Sequence, residues 1–211
     1  FTNSGNFTYE VDHTSSNQSM SLGGFIGQAQ NGVAFATEKY PTWTGDVVNT
    51  GTIRYAGKSS KNVYIGGFIA AGNNTVTPTA KLINTGTLEI DGAFPSAQVG
   101  GIYGLCKVAI DEAQVFCDIY AKSPAKAGFI MGSARTATVK ATNCKIGGRF
   151  ATEIDKIYNT DGDLIGEGPK YSEIAKDEFF NYIYSSVNWD GVENYDGCSH
   201  ISSKDEIVDT P

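Results

Sequence analysis

Apolar and polar positions over the first 150 residues recur in short runs and not at helical spacing. Leu22-Gly23-Gly24-Phe25-Ile26-Gly27 returns as Ile65-Gly66-Gly67-Phe68-Ile69-Ala70 and as Val99-Gly100-Gly101-Ile102-Tyr103-Gly104. A shorter copy, Lys126-Ala127-Gly128-Phe129-Ile130, and a last one, Ile146-Gly147-Gly148-Arg149-Phe150, follow. Glycines 24, 67, 101, 128 and 148 stand 43, 34, 27 and 20 residues apart, so the unit shortens toward its end. Between these marks run Val47-Val48-Asn49-Thr50-Gly51-Thr52-Ile53 and Leu82-Ile83-Asn84-Thr85-Gly86-Thr87-Leu88, with Asn3-Ser4-Gly5-Asn6-Phe7 as a leading fragment. Short apolar strands punctuated by Gly and Asn cannot bury their own face and must stack on neighbouring copies. The pattern predicts an all-β fold, an irregular parallel β-helix (β-solenoid) of about four coils over residues 1–149.

Within a coil, each glycine pair is expected to turn a corner with positive φ, and Phe25, Phe68, Ile102 and Phe129 to stack inside. Asn49 and Asn84 are placed for turns and for a ladder between coils. Val48, Ile83, Cys117 and Cys144 form an expected column, the last three each 16 residues after a glycine of the recurring pair. Variable text at 28–44, 72–79 and 92–97 is assigned to lateral loops. Past residue 149 the glycine pairs stop, and 150–211 reads as a second unit, a cap closing the open end of the stack. Lys156 to Ile165 spans a hairpin about Asp161-Gly162. Residues 175–184 place Phe179, Phe180, Ile183 and Tyr184 on one side of an amphipathic helix.

Composition narrows the partners. The chain of 211 residues has 16 Lys+Arg against 23 Asp+Glu, a net charge of −7, with no basic cluster, which excludes nucleic acid and anionic membranes as partners. The content of 25 glycines with 11 Phe and 11 Tyr fits many turns around a real core and not a disordered tail. No apolar run is long enough for a membrane span, and Phe1-Thr2-Asn3 lacks the start of a signal peptide, so the chain is expected to follow a removed leader or to lie inside a longer protein.

The diglycine motif alternating with Asn-Thr-Gly-Thr resembles the glycine-rich repeats, including those of the GLUG type, of secreted and surface proteins of gut Bacteroidetes. The run Phe180-Asn181-Tyr182-Ile183-Tyr184 and then Asn194-Tyr195-Asp196-Gly197-Cys198 is similar to the tail that often follows such repeats. The resemblance implies an extracytoplasmic, cell-surface or secreted, adhesin-like protein and carries over no catalytic residue.

Candidate chemistry is thin. Four cysteines at 106, 117, 144 and 198 have no Cys-x-x-Cys spacing and only two histidines accompany them, so no metal or cofactor is expected. Cys117 and Cys144 read as buried thiols, with a disulfide between stacked coils as the alternative. Cys198-Ser199-His200 holds a nucleophile and a base type only as sequence neighbours. Asn159, Asp161 and Asp163 alternate like a calcium loop, but Leu164 and Lys170 stand where Gly and Glu are needed, which favours the hairpin turn. Asp190 and Asp196 suit local turns better than a shared cation. Thr50/Thr52 and Thr85/Thr87 could form a flat threonine ladder, but it ends after two coils and turn residues account for it. Glu89 and Asp91 share a strand face and Asp118 lies within reach of Lys122, which reads as scattered surface charge. Aromatics in loops remain: Tyr40, Trp43, Trp189 and Tyr195 are the candidate ligand-binding residues, because flat rings stack on sugars or anchor protein contacts.

These readings predict a non-enzymatic binding module for a glycan or a host or cell-surface protein, with loops 28–44 and 72–79 as contact regions. The alternatives are a polysaccharide-active β-helix enzyme, lyase or hydrolase, which needs three or more carboxylates in one groove, and a purely structural stalk segment.

Overall fold

The computed structural model describes residues 1–29, 45–72, 81–106, 109–122, 125–134, 141–173 and 197–207. The described residues are all-β, with strands in parallel sheets, one antiparallel hairpin and a single 3-10 turn at Lys204–Glu206. The expected helix over 175–184 lies outside the described residues.

Pairing follows the recurring text in its first four copies; the last, Ile146 to Phe150, pairs instead with Val115 to Ile119 in a different sheet and is not a further copy of the same element. Met20–Gly23, Val63–Gly66, Ala97–Gly100 and Ala125–Gly128 form one four-stranded parallel sheet, with Gly23, Gly66, Gly100 and Gly128 in register. Ile26–Ala29, Ile69–Gly72, Tyr103–Cys106 and Met131–Ala134 form a second, immediately after the glycine pairs. The third and largest sheet has ten strands and is forked. Thr2–Asn3, Val47–Asn49 and Leu82–Asn84 make one arm, and Phe7–Tyr9, Thr52–Tyr55 and Thr87–Ile90 the other. Both arms pair with the single eight-residue strand Gln114–Ala121, which then pairs with Lys145–Ala151. The fork marks the Asn-Thr-Gly corner. Where that motif is present the strand breaks at Thr50-Gly51 and Thr85-Gly86, and where it is lost the strand runs straight through.

The glycine pairs differ from expectation in mechanism. Positive φ occurs at Gly45, Gly148, Gly162 and Gly197 but not at Gly23, Gly24, Gly66, Gly67, Gly100 or Gly101. Close approach excludes a side chain instead: a Cβ on Gly24 would run into the Gly67 carbonyl, one on Gly67 into the Gly101 carbonyl and the Asn84 amide. Gly66 and Gly104 let the first two sheets pack backbone on backbone, since a Cβ on Gly104 would lie 2.7 Å from the Ile65 carbonyl oxygen.

Inward side chains make one shared core. Phe25 stacks on Phe68 with ring centres 5.4 Å apart and planes 6° from parallel. Phe68, Ile102 and Phe129 are wholly buried, each such side chain contributing about 1.5–3 kcal/mol relative to exposure. Backbone pairing sets Ile130, and not Phe129, beside Ile102, because Gly128 takes the place of the first glycine of each pair. Ile53, Leu88, Ile119 and Phe150 form a second inward column.

Counting from glycine fails for the cysteine column. Val48 does face Ile83, but Ile83 faces Gln114 and Gln114 faces Lys145; Cys117 lies opposite Gly148. From the positions in register with Gly67, the separations are 83 − 67 = 16, then 114 − 101 = 13, then 145 − 129 = 16, so the connecting segment is three residues shorter in the third unit. Cys117 and Cys144 are both buried and free.

Asn49 and Asn84 form the expected ladder, joined by Asn3. Asn3 Nδ2 donates to Asn49 Oδ1 and Asn49 Nδ2 to Asn84 Oδ1, each at 3.0 Å. The next position is Val115, so Asn84 Nδ2 ends the ladder on the Gly101 carbonyl at 2.6 Å.

One further difference concerns a connection. Ala93, expected in a loop, bridges to Lys58, which pairs with Asp12, so residues 92–96 are part of the stack. The hairpin forms as read: Ile154–Tyr158 pairs antiparallel with Leu164–Pro169, Gly162 takes φ +86°, and Asn159 Oδ1 accepts the N–H groups of Asp161 and Asp163. The last strand is covered in part: Ser199–His200 adds in parallel to Lys145–Ile146, and Ser172–Glu173 pairs antiparallel with Arg149–Phe150.

Candidate functional site

Alternation along the large sheet sends Ile53, Leu88 and Ile119 inward, so Thr52, Arg54, Thr87, Glu89, Asp118 and Tyr120 emerge on its outer face. Register places Thr52, Thr87, Asp118 and Arg149 in one row and Arg54, Glu89 and Tyr120 in the next. Thr52 and Thr87, assigned to turns from the sequence, are strand residues that face one another, and the row turns ionic at Asp118.

Ion pairs tie the rows together. Arg54 Nη2 lies 2.9 Å from Asp91 Oδ2, and its Nε lies 3.6 Å from Glu89 Oε2. Arg149 grips Asp118 with two hydrogen bonds, Nε to Oδ1 at 2.9 Å and Nη2 to Oδ2 at 2.6 Å. Tyr171, carried over the face by the segment returning from the hairpin, links the halves: its hydroxyl donates to Glu89 Oε1 at 3.4 Å and its ring lies 5.1 Å beneath the Arg149 guanidinium. Lys122 donates to the Asp91 carbonyl at 3.1 Å and does not pair with Asp118. Glu89, Asp91 and Asp118 thus belong to one network and are not scattered surface charge.

The electrostatics follow from those contacts. Hydrogen bonding to Asp91 and to Asp118 raises the pKa of Arg54 and Arg149 respectively, so both cations are fixed. Burial, and then the charges of Glu89 and Asp118, push the Tyr171 phenol up. Burial followed by Asp91 and Glu89 does the same for Tyr120. The Tyr171 phenol stays a donor to Glu89, whereas Tyr120 is buried. Chemically the face offers fixed planar carboxylate and guanidinium groups with the Tyr171 hydroxyl, an array suited to hydrogen-bonding a polyhydroxylated or charged ligand.

Tyr40 and Trp43, together with most of loop 28–44, loop positions 73–79, Trp189, Tyr195, Asp190 and Asp196, lie outside the described residues. Among the described residues no group of three or more metal-ligating side chains gathers. The Cys198 thiol donates to the Ala141 carbonyl at 3.5 Å.

Sequence reading missed Arg54, Arg149 and Tyr171. For Arg54 a signal was present: aligning Thr52-Ile53-Arg54 with Thr87-Leu88-Glu89 puts opposite charges in one column. Tyr171 had none, because it follows a non-repeating hairpin. Comparison with known proteins adds no relative: no protein-family model matches the chain, and no curated protein or solved structure matches it significantly.

Proposed function

We propose that the chain is a parallel β-solenoid of about four coils, residues 1–149, capped by 150–211, and that it is a non-enzymatic, extracytoplasmic binding module of adhesin-like type, at the cell surface or secreted, with a glycan or a surface protein as ligand. The solenoid reading is supported by parallel pairing of successive segments in all three large sheets, including the first four copies of the glycine motif. The binding reading rests on one observation: Arg54, Glu89, Asp91, Asp118, Arg149 and Tyr171 form a connected, partly exposed polar surface on the outer face of a rigid sheet. Side chains locked by one another lose little further freedom when a ligand arrives.

A glycan and matrix-protein array read with the intact protein tests this. Arg149→Ala with unchanged circular dichroism should weaken the bound ligand about tenfold or more. Trp43→Ala reports separately on the loop aromatic. Binding indifferent to Arg54, Arg149 and Trp43, or a folded protein that binds nothing on the array, refutes the proposal.

The gathering of three carboxylates on one face favours a second reading, a polysaccharide-active enzyme. Against it, each of the three faces an arginine or a tyrosine hydroxyl, whereas hydrolysis needs one carboxyl that holds a proton. New reducing ends or unsaturated products from a polysaccharide panel, lost in Glu89→Gln, would establish this reading in place of the first.

A further inference from the structure

The C-terminal strand brings two thiols together that the recurring text does not connect. Lys145 and Ile146 face Ser199 and His200 in parallel register, and Ser199 donates its N–H to the Cys144 carbonyl at 2.8 Å. One position earlier, Cys144 and Cys198 are therefore partners on neighbouring strands. Adjacent strands run about 4.8 Å apart, within the Cα separation of about 4.4–6.8 Å that a disulfide spans. Both sulfurs turn toward the same stretch of backbone. Cys144 Sγ lies 3.2 Å from the Thr142 carbonyl oxygen and Cys198 Sγ 3.5 Å from that of Ala141, and the two thiols are hydrogen-bonded to each other. Both are thiols and not a disulfide in this structure, Cys144 buried and Cys198 half-buried. Cys117 is not a competing partner, since Gly148 faces it and Cys144, one residue before Lys145, lies in line with Ala113.

We propose that Cys144 and Cys198 are a disulfide-forming pair that takes a low-molecular-weight disulfide as oxidant and ties residues 197–207 covalently to the last strand of the large sheet. The order of events follows from access. The Cys198 thiol, the more exposed, loses its proton and attacks the external disulfide R–S–S–R, giving Cys198–S–S–R and releasing one thiolate, which takes up the proton. The Cys144 thiol then gives up its proton and attacks the Cys198 sulfur, forming Cys144–S–S–Cys198 and expelling the second R–SH. Two protein thiols are oxidised and one external disulfide is reduced to two thiols. Hydrogen bonding to Cys198 and burial push the Cys144 thiol up, which makes the second step the slow one.

In the reduced protein the tail is held by non-covalent contacts alone. Ser199 and Ile201 donate backbone N–H groups to Cys144 and Ile146, Lys204 reaches the Thr85 carbonyl at 3.0 Å, and Lys145 reaches that of Glu206 at 3.2 Å. The bond would convert a strand that merely covers an edge into one that cannot leave it. This inference is independent of what the outer face binds.

Incubation with oxidised glutathione, alkylation of remaining thiols and proteolysis without reduction test it by mass spectrometry. The expected product is one linked pair of peptides containing Cys144 and Cys198, about 2 Da lighter than the sum of the reduced peptides. The oxidised protein should melt about 5 °C or more higher. Cys144→Ser should stop the reaction at a stable glutathione adduct on Cys198, and Cys198→Ser should leave Cys144 unreacted. The proposal is overturned by alkylation of both thiols in protein with native circular dichroism, by linkage to Cys106 or Cys117, by a persistent glutathione adduct in the parent protein, or by an unchanged melting temperature.

Discussion

Polar side chains inside this protein carry specificity residue by residue, and two of them make opposite predictions. Asn84 is fully buried and satisfies three neighbours: it accepts from Asn49 Nδ2 and from the Gly86 N–H, and it donates to the Gly101 carbonyl. Asn84→Ala leaves all three unpaired in a dry interior and should cost about 3 kcal/mol or more in a urea titration. Tyr55 is equally buried, stacks on Tyr9 at 5.9 Å, and has a hydroxyl with no hydrogen-bond partner. Burial first, and then the Tyr9 and Asp12 charges, push its phenol up to about 12. Tyr55→Phe removes only the unsatisfied group, so the same titration should show no loss, or a gain of up to about 1 kcal/mol. The asparagine ladder was legible in the repeats, because Asn49 and Asn84 recur two residues before a glycine. The unsatisfied tyrosine was not, because nothing in Thr52-Ile53-Arg54-Tyr55 states where the ring will end.

At the scale of elements, the tail turn depends on one carboxylate. Glu206 Oε1 accepts from the Ser202 N–H at 2.7 Å, from the Ser202 hydroxyl at 2.8 Å and from the Ser203 N–H at 3.2 Å. The backbone bond from Ser202 leads in holding its carboxyl below the usual range. A folded pKa below the unfolded one means that this contribution is complete above the unfolded value, about 4.3, and is lost as the pH falls through the lower folded value. Amide protection factors in residues 202–207, taken relative to the intrinsic rate at each pH, should therefore fall below about pH 4 before the sheets open. Asp12, lowered chiefly by the Thr14 hydroxyl and then by its N–H, predicts the same direction for the 12–16 turn. The corner strands show what element-level reading missed. Asn-Thr-Gly text marked two corners correctly, but its loss in Gln114–Ala121 meant a straight strand that joins both arms of the sheet. The first three glycine pairs were recognised for the wrong reason, since their requirement is set by backbone carbonyls close by and not by their own φ; in the last pair Gly148 does take a positive φ.

For the molecule as a whole, parallel strands leave edges that must be covered. Ser199–His200 and Ile201 shield the outer side of Lys145–Ile146, and a Cβ on Gly147 would meet the Ile201 carbonyl, so the tail fits against backbone there. Deleting 197–207 should bare that edge and shift the light-scattering peak to larger, concentration-dependent species than the parent protein forms, with the sheet signal in circular dichroism retained. The opposite end carries Phe1 at 83%, Phe7 at 50% and Val11 at 54% exposure on its edge segments, a surface where extended backbone is also open.

The linear text was enough to establish short strands, the in-register glycines, the inward phenylalanines and the hairpin, because period-two alternation and turn chemistry act over a few residues and need no distant partner. It could not establish which residues face one another across strands. Connecting segments of unequal length moved Cys117 away from Cys144 and brought Cys198 beside it. The same distant register gathered Arg54, Glu89, Asp91, Asp118, Arg149 and Tyr171 into one network. Those contacts are set by how whole strands slide to keep apolar side chains inside, a free energy summed over the stack that no local window of sequence contains.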